Sequence, residues 1–357
     1  MSSTDTITIN RILNTVAERQ ATDVHFVVGN YPFIRVKGKL VPLDQEELIT
    51  PETMESIISF FVSEEKKEEF ETKKDLKYIY DWLSKARFRV HAFQQKGYFS
   101  ISLKLVPSKI YNLADLGLPK IINDFLKVSS GLVLITGPFN SGRSTTLASM
   151  IQTINQTQSK HILYLEEPIE HLFVNDKSVI EQREVGQDVD SFAEGLRSAK
   201  DEDVDIVAVS KVEGPEVIEL LLELAESGRL VIALMDNYSA ITALEEIVSE
   251  FTDAKVDWSK NILSELLVGV IDQRLIPTID GDMVLAVGIL TLSPSSKALI
   301  KEGRFSNLES IIQTSKAEGM ISLQRAIYEL AQKGKISAEA AVNHSSDATD
   351  MKKMLKK

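Results

Sequence analysis

Between Gly131 and Thr146 the chain reads GLVLITGPFNSGRSTT, in which two glycines, one cation and a run of hydroxyls have the spacing of a phosphate-holding turn. The apolar run Leu132 to Ile135 suits a buried strand. Gly137 and Gly142 bracket a tight loop of Pro138, Phe139, Asn140 and Ser141, and Arg143, Ser144 and Thr145 open a helix. In such a turn, backbone N–H groups and the helix N-terminus meet phosphate oxygens, and a side-chain hydroxyl at the position of Ser144 can ligate a metal. The motif usually places a lysine where Arg143 stands. A planar guanidinium is wider than an ammonium and prefers two acceptors to one point contact. Asn140, at the centre of the loop, tolerates positive φ but brings a side chain toward the ligand. A bare strand-to-helix turn without ligand is the alternative reading.

Two other strand ends carry groups able to do chemistry. His161 to Leu165 is an apolar strand that ends in Glu166 and Glu167, and in open α/β sheets ligands gather at such carboxyl ends. Asp203 to Lys211, DVDIVAVSK, is a third apolar strand. Phosphoryl-transfer enzymes need a hard oxygen ligand for Mg²⁺ near this point, and the chain offers Ser210 and Lys211 instead.

The 357 residues suffice for two or three domains, and 43% hydrophobic residues indicate a globular chain. A formal net charge of −12 argues against a general nucleic-acid binder. No cysteine is present, which excludes disulfides and thiolate sites, and the five histidines lack close metal-ligand spacing. No signal peptide or membrane-length apolar run is evident, so a cytoplasmic location is expected.

The elements that must position these groups begin with a helix at Ile9 to Glu18, three short strands up to Leu43, and a helix opened by Thr50 and Pro51. Strands follow at Lys77 to Leu83, Ala86 to Gln94 and Tyr98 to Val106. Residues 1–106 form a small mixed domain on this reading, with a linker at 107–119, a nucleotide domain at 120–295 and a helical subdomain at 296–357. In the second domain, strands alternate with helices at 144–156, 191–200, 215–226 and 241–251, which favours a parallel sheet with crossover helices. The segments Ile262 to Ile271 and Met283 to Leu292 complete that core.

Along almost its whole length the chain resembles the type IV pilus retraction ATPases of the secretion ATPase superfamily. The resemblance rests on TDVHFVVGNYPFIRVKGKL, ARFRVHAFQQKG, the acidic box LEEPIEH, VIEQREVGQDVDSFAEGLRSA, IDQRLIP and SSKALIKEG, in that order. It implies a PAS-like N-terminal α+β domain joined to a RecA-like α/β P-loop ATPase core, six subunits in a ring, and ATP or ADP held between the two domains. Glu166 matches the family's catalytic glutamate, and Arg87 and Arg89 match arginines that reach the nucleotide from the N-terminal domain. Elsewhere the family's pattern is changed: its P-loop lysine is Arg143, its middle glycine Asn140, its magnesium-associated glutamate Lys211, and its box histidines Arg229 and Asp236.

Mg²⁺ binding is therefore not expected, and ATP hydrolysis is expected to be lost or strongly reduced. The implied role is a motor subunit or regulator of pilus retraction, in a homo-hexamer or a mixed ring with an active relative. The implied docking partner is an inner-membrane pilus platform protein. A slow hydrolysing motor and a nucleotide sensor without turnover are the alternatives. A structural reading pairs Glu166 with Lys211, and assigns Arg87 and Arg89 to an oligomer contact.

Overall fold

Alternation of apolar and polar residues sets the first sheet. In Ala86–Gln95, the side chains of Phe88, Val90 and Ala92 are buried on one face, while Arg87, Arg89 and His91 lie half-buried on the other. The computed structural model describes residues 3–19, 21–83, 86–106 and 109–356. It divides the chain into two units, Met1–Lys109 and Ile110–Lys357.

The first unit runs α1 (Ser3–Glu18), β1 (Asp23–Val27), β2 (Phe33–Val36), β3 (Lys39–Pro42), α2 (Pro51–Phe61), α3 (Glu64–Lys73), β4 (Asp75–Trp82), β5 (Ala86–Gln95) and β6 (Tyr98–Val106). Its six strands form an antiparallel sheet in the order β3-β2-β1-β6-β5-β4. The expected cap is present, because the Thr50 hydroxyl accepts a 3.1 Å bond from the Thr53 N–H and Pro51 fills the first helical position. Trp82 is a core residue whose indole N–H donates to Asn10 Oδ1 at 2.8 Å.

Pro107 and Ser108 of the expected linker lie outside the described residues. Leu113 and Leu118 are buried against Ile122 and Phe125, so this turn-rich stretch packs into the second unit. That unit continues with α4 (Ile122–Phe125), β7 (Gly131–Thr136), α5 (Arg143–Thr157), β8 (His161–Glu166), β9 (Val179–Glu184), α6 (Phe192–Asp201), β10 (Ile206–Val209), α7 (Gly214–Glu226) and β11 (Leu230–Met235). After these come α8 (Ala240–Ser249), α9 (Ala254–Leu266), β12 (Leu267–Pro277) and β13 (Met283–Thr291). The apolar stretch Ile262 to Ile271 thus spans the end of a helix and the start of a strand.

The second sheet is ordered β13-β12-β7-β11-β10-β8-β9 and is parallel except for β13, which runs antiparallel to β12. Helices cover both faces, which is why β7, β10 and β11 are buried at every position. Leu132 and Leu134 join the core under α6 to α9, while Val133 and Ile135 face Leu147, Met150 and Ile154 of α5. The remaining helices are α10 (Pro294–Lys301), α11 (Leu308–Thr314), α12 (Leu323–Gln332), α13 (Ala338–His344) and α14 (Ala348–Leu355). Ile276 of β12 and Ala286 of the edge strand β13 pack with Leu323, Ile327, Ala341 and Met351 of these helices.

Gly269 shows how tightly this core closes. A Cβ there would lie 2.5 Å from Phe125 Cζ and 3.0 Å from the Leu290 carbonyl oxygen. Gly269→Ala is expected to lower unfolding free energy in urea by about 1–3 kcal/mol through overpacking; an unchanged midpoint would contradict this packing.

Candidate nucleotide-binding site

The site forms where β7 turns into α5, and the register of the sheet decides its neighbours. Thr136, the last residue of β7, pairs with Met235 of β11 and with Asp272 of β12. Gly137 therefore has Asp236 following on one side and Gln273 on the other. Its φ is +153, and a Cβ would meet Ser141 Oγ at 2.5 Å and the Gln273 carbonyl oxygen at 2.6 Å, so only glycine fits. Asn140 adopts φ 63 and Gly142 φ 89, and the Ser141 N–H closes the turn on the Pro138 carbonyl at 3.1 Å.

The turn leaves over donors of the kind that suit a phosphate. The first N–H groups of α5 have no partner inside the helix, and they aim positive dipole ends at the loop. Ser141 is 3% exposed, and its hydroxyl has no hydrogen-bond partner within the protein. Phe139 projects at the tip with 78% exposure, while Pro138, Ser144 and Thr145 are half-buried. Thr146 is buried and accepts a 2.8 Å bond from Gln273 Nε2, which ties α5 to β12.

The cation of the loop is already engaged. Arg143 donates through Nη1 to the Met235 carbonyl and through Nη2 to the Asp236 carboxylate, with its side chain 12% exposed. The end of β11 is itself fixed, since Thr136 Oγ1 donates to the Asn237 carbonyl at 2.9 Å.

Glu166 ends β8 and is buried, with Gln182 Nε2 donating to its Oε1 at 3.1 Å and to the His171 carbonyl at 2.6 Å. Burial pushes its carboxyl up to about 8, opposed by the Gln182 bond and assisted by the charge of Glu170. The pairing of Glu166 with Lys211 is not formed. Lys211 instead meets Glu213 at 2.5 Å and Glu167 at 3.5 Å. Desolvation favours the neutral amine, but these carboxylates outweigh it and its pKa is raised.

At the end of β10 an ammonium thus stands beside the carboxylates that could act as hard ligands, which disfavours a divalent cation at that point. Arg229 and Asp236 lie beyond opposite ends of β11, which spans about 20 Å. Arg229 binds the Lys200 and Glu202 carbonyls and stays away from the loop. In the first unit, Arg87 pairs with Asp81 at 2.7 Å, and Arg89 shares its face of β5.

Sequence reasoning missed a second polar cluster, on β12. Arg274 is buried, donates to Asp272 at 2.9 Å and to the Tyr238 carbonyl, and stacks 4.3 Å from the Tyr238 ring centroid. Burial pushes Asp272 up to about 7 against the pull of Arg274. Its only signal in the sequence was the charged pair inside the apolar segment IDQRLIP.

The model of the Type II/IV secretion system protein family matches residues 4–355. The chain belongs to this family. It is similar to the type IV pilus retraction ATPase PilT of Pseudomonas aeruginosa, with 35% identity over 93% of this chain and 96% of that protein. It is also similar to the type IV pilus ATPase PilU of the same organism, 29% identical over 97% of this chain and 91% of the relative. A crystal structure of the pilus retraction motor PilT with bound ADP superposes with a TM-score of 0.84 at 33% identity, covering 96% of this chain and 98% of that one. Within the secretion ATPase family, then, this chain has the two-part α/β architecture of the pilus retraction branch.

The Glu166 environment makes a pH prediction. Its pKa in the folded state lies above the unfolded value near 4.5, so the native state binds more protons and stability falls as pH rises from about 4.5 to about 8. Glu166→Gln removes its share of that fall. The difference in unfolding free energy, variant minus wild type, should increase across this window in denaturant titrations; a constant difference would show that Glu166 ionises normally.

Proposed function

We propose that this chain is a nucleotide-binding, catalytically impaired subunit or regulator of a type IV pilus retraction motor, acting in retraction and twitching motility. The observation that carries the reading is the internal engagement of Arg143 by Asp236 and the Met235 carbonyl. A phosphate loop whose one strong cation is neutralised in place keeps its backbone donors but loses the charge that steadies a transferring phosphoryl group. Lys211 supports the same reading, because it puts a cation where the family carries the glutamate that serves the metal. Burial of Glu166 favours its neutral form over the carboxylate that would take a proton from water.

The ligand of this reading is ATP or ADP without Mg²⁺, in line with the ADP of the similar PilT structure. The loop residues Gly137 to Thr145 hold the phosphates. The subunit forms a six-membered ring of its own kind or a mixed ring with an active relative, docked on an inner-membrane platform protein at the cytoplasmic face. No helix among the described residues is long and apolar enough to cross a membrane.

Phosphate release from ATP by the purified protein tests the reading. Turnover should equal that of a Glu166→Ala control with and without Mg²⁺. Metal-dependent release above the control would instead make the chain a working motor.

A further inference from the structure

We infer that Asp236 is a specificity-determining residue that makes this site prefer a nucleoside diphosphate to a triphosphate. The inference rests on the nucleotide-binding reading above and adds which phosphate chain the site accepts. Three observations carry it. First, the parallel register of β7 and β11 puts Asp236 immediately beside Gly137, the first residue of the loop. Second, the Asp236 carboxylate is 72% exposed while the guanidinium it binds is 12% exposed, so the anion, not the cation, is the more open of the two to an arriving ligand. Third, the interior of the loop keeps an unpartnered hydroxyl, that of Ser141, which is 3% exposed and lies against Gly137, so the loop holds a polar atom that its own backbone does not satisfy.

The charges then decide. A phosphate loop ordinarily offers one net positive charge beyond its backbone dipoles, and here Arg143 and Asp236 together offer none. Backbone N–H groups and the α5 dipole still favour an anion, but their reach is one turn of helix. A terminal phosphate extending beyond that reach adds charge without a free cation to meet it, and it approaches an open carboxylate. The diphosphate ends sooner. Lys211, the other cation near a strand end, is held by Glu213 and Glu167 and leaves this balance unchanged.

The Met235 carbonyl shows why arginine and aspartate belong together. Arg143 needs two acceptors in a fork, and strand β11 supplies one from its backbone and one from the next side chain. Replacing Asp236 by Asn keeps the shape and one acceptor, and leaves the pair with a net positive charge.

Calorimetric titration of the full chain with ADP and with ATP, in EDTA at low salt, tests the inference on wild type, Asp236→Asn and the double variant Arg143→Ala/Asp236→Asn. Wild type should bind ADP about fivefold more tightly than ATP, the scale of one partly exposed charge contact. Asp236→Asn should tighten ATP by that factor with little change for ADP, and the double variant should lose the gain. Asp236→Ala, with thermal unfolding as the check of fold, gives a second reading of the same change. Equal affinities in wild type, or an ADP-to-ATP ratio untouched by both Asp236 variants, would overturn the inference while leaving nucleotide binding intact. Failure of wild type and both single variants to bind either ligand would overturn the nucleotide reading and this inference with it.

Discussion

Parallel pairing of β7 between β11 and β12 is the constraint on which the site depends. A central strand buried on both faces has a fixed register, because slipping by one residue would exchange Leu132 and Leu134 with Val133 and Ile135 between two different cores. Once the register is set, Asp236 and Gln273 must flank Gly137. The loop has no freedom to choose other neighbours, and Arg143, the first residue of α5, finds the end of β11 within reach. Chemistry at this site is thus decided by strand ends that are distant in sequence and adjacent in the sheet.

The same constraint links the loop to the C-terminal helices. Gln273 holds Thr146 on α5, and its neighbour Arg274 holds the Tyr238 carbonyl just beyond Asp236. Tyr238 in turn donates its hydroxyl to the Ser345 carbonyl at 3.3 Å, at the end of α13. Each bond is local, but in series they tie α5, the segment after β11, β12 and the C-terminal helices. A buried network of this kind is rigid when all members are satisfied. Two atoms are not: Gln273 Oε1 and Arg274 Nε have no partner.

Much of this was legible in the sequence where signals are local. The loop announced itself through Gly137 and Gly142 at fixed spacing, and the cap at Thr50 through its proline. Lys211 was visible as a cation in the wrong place because a short apolar strand leads directly to it. Contacts across the sheet were not legible. Arg143 and Asp236 are 93 positions apart, and both stood out as separate departures from a family pattern when they are in fact one ion pair. Strand β9 escaped notice because an edge strand with half-buried residues along most of its length has no clean alternation. The stretch before α4 looked like linker because its turn residues mask Leu113 and Leu118, whose burial only tertiary packing reveals. Arg229, carried over from a histidine position, lies beyond the far end of β11, and only the strand's direction tells it apart from Asp236.

The proposed function requires that the ion pairs Arg143–Asp236 and Lys211–Glu213 stand in place of metal and cation chemistry at this site. Its most direct test is the affinity of the wild-type protein for ATP measured with EDTA and again with saturating Mg²⁺. A site with Lys211 among its carboxylates and Arg143 held by Asp236 should tighten by no more than about fivefold, the scale of the charge that the metal removes from the triphosphate. Tightening of tenfold or more on adding Mg²⁺ would exceed what charge removal supplies and would mean that the protein itself ligates the metal, contrary to the proposed function.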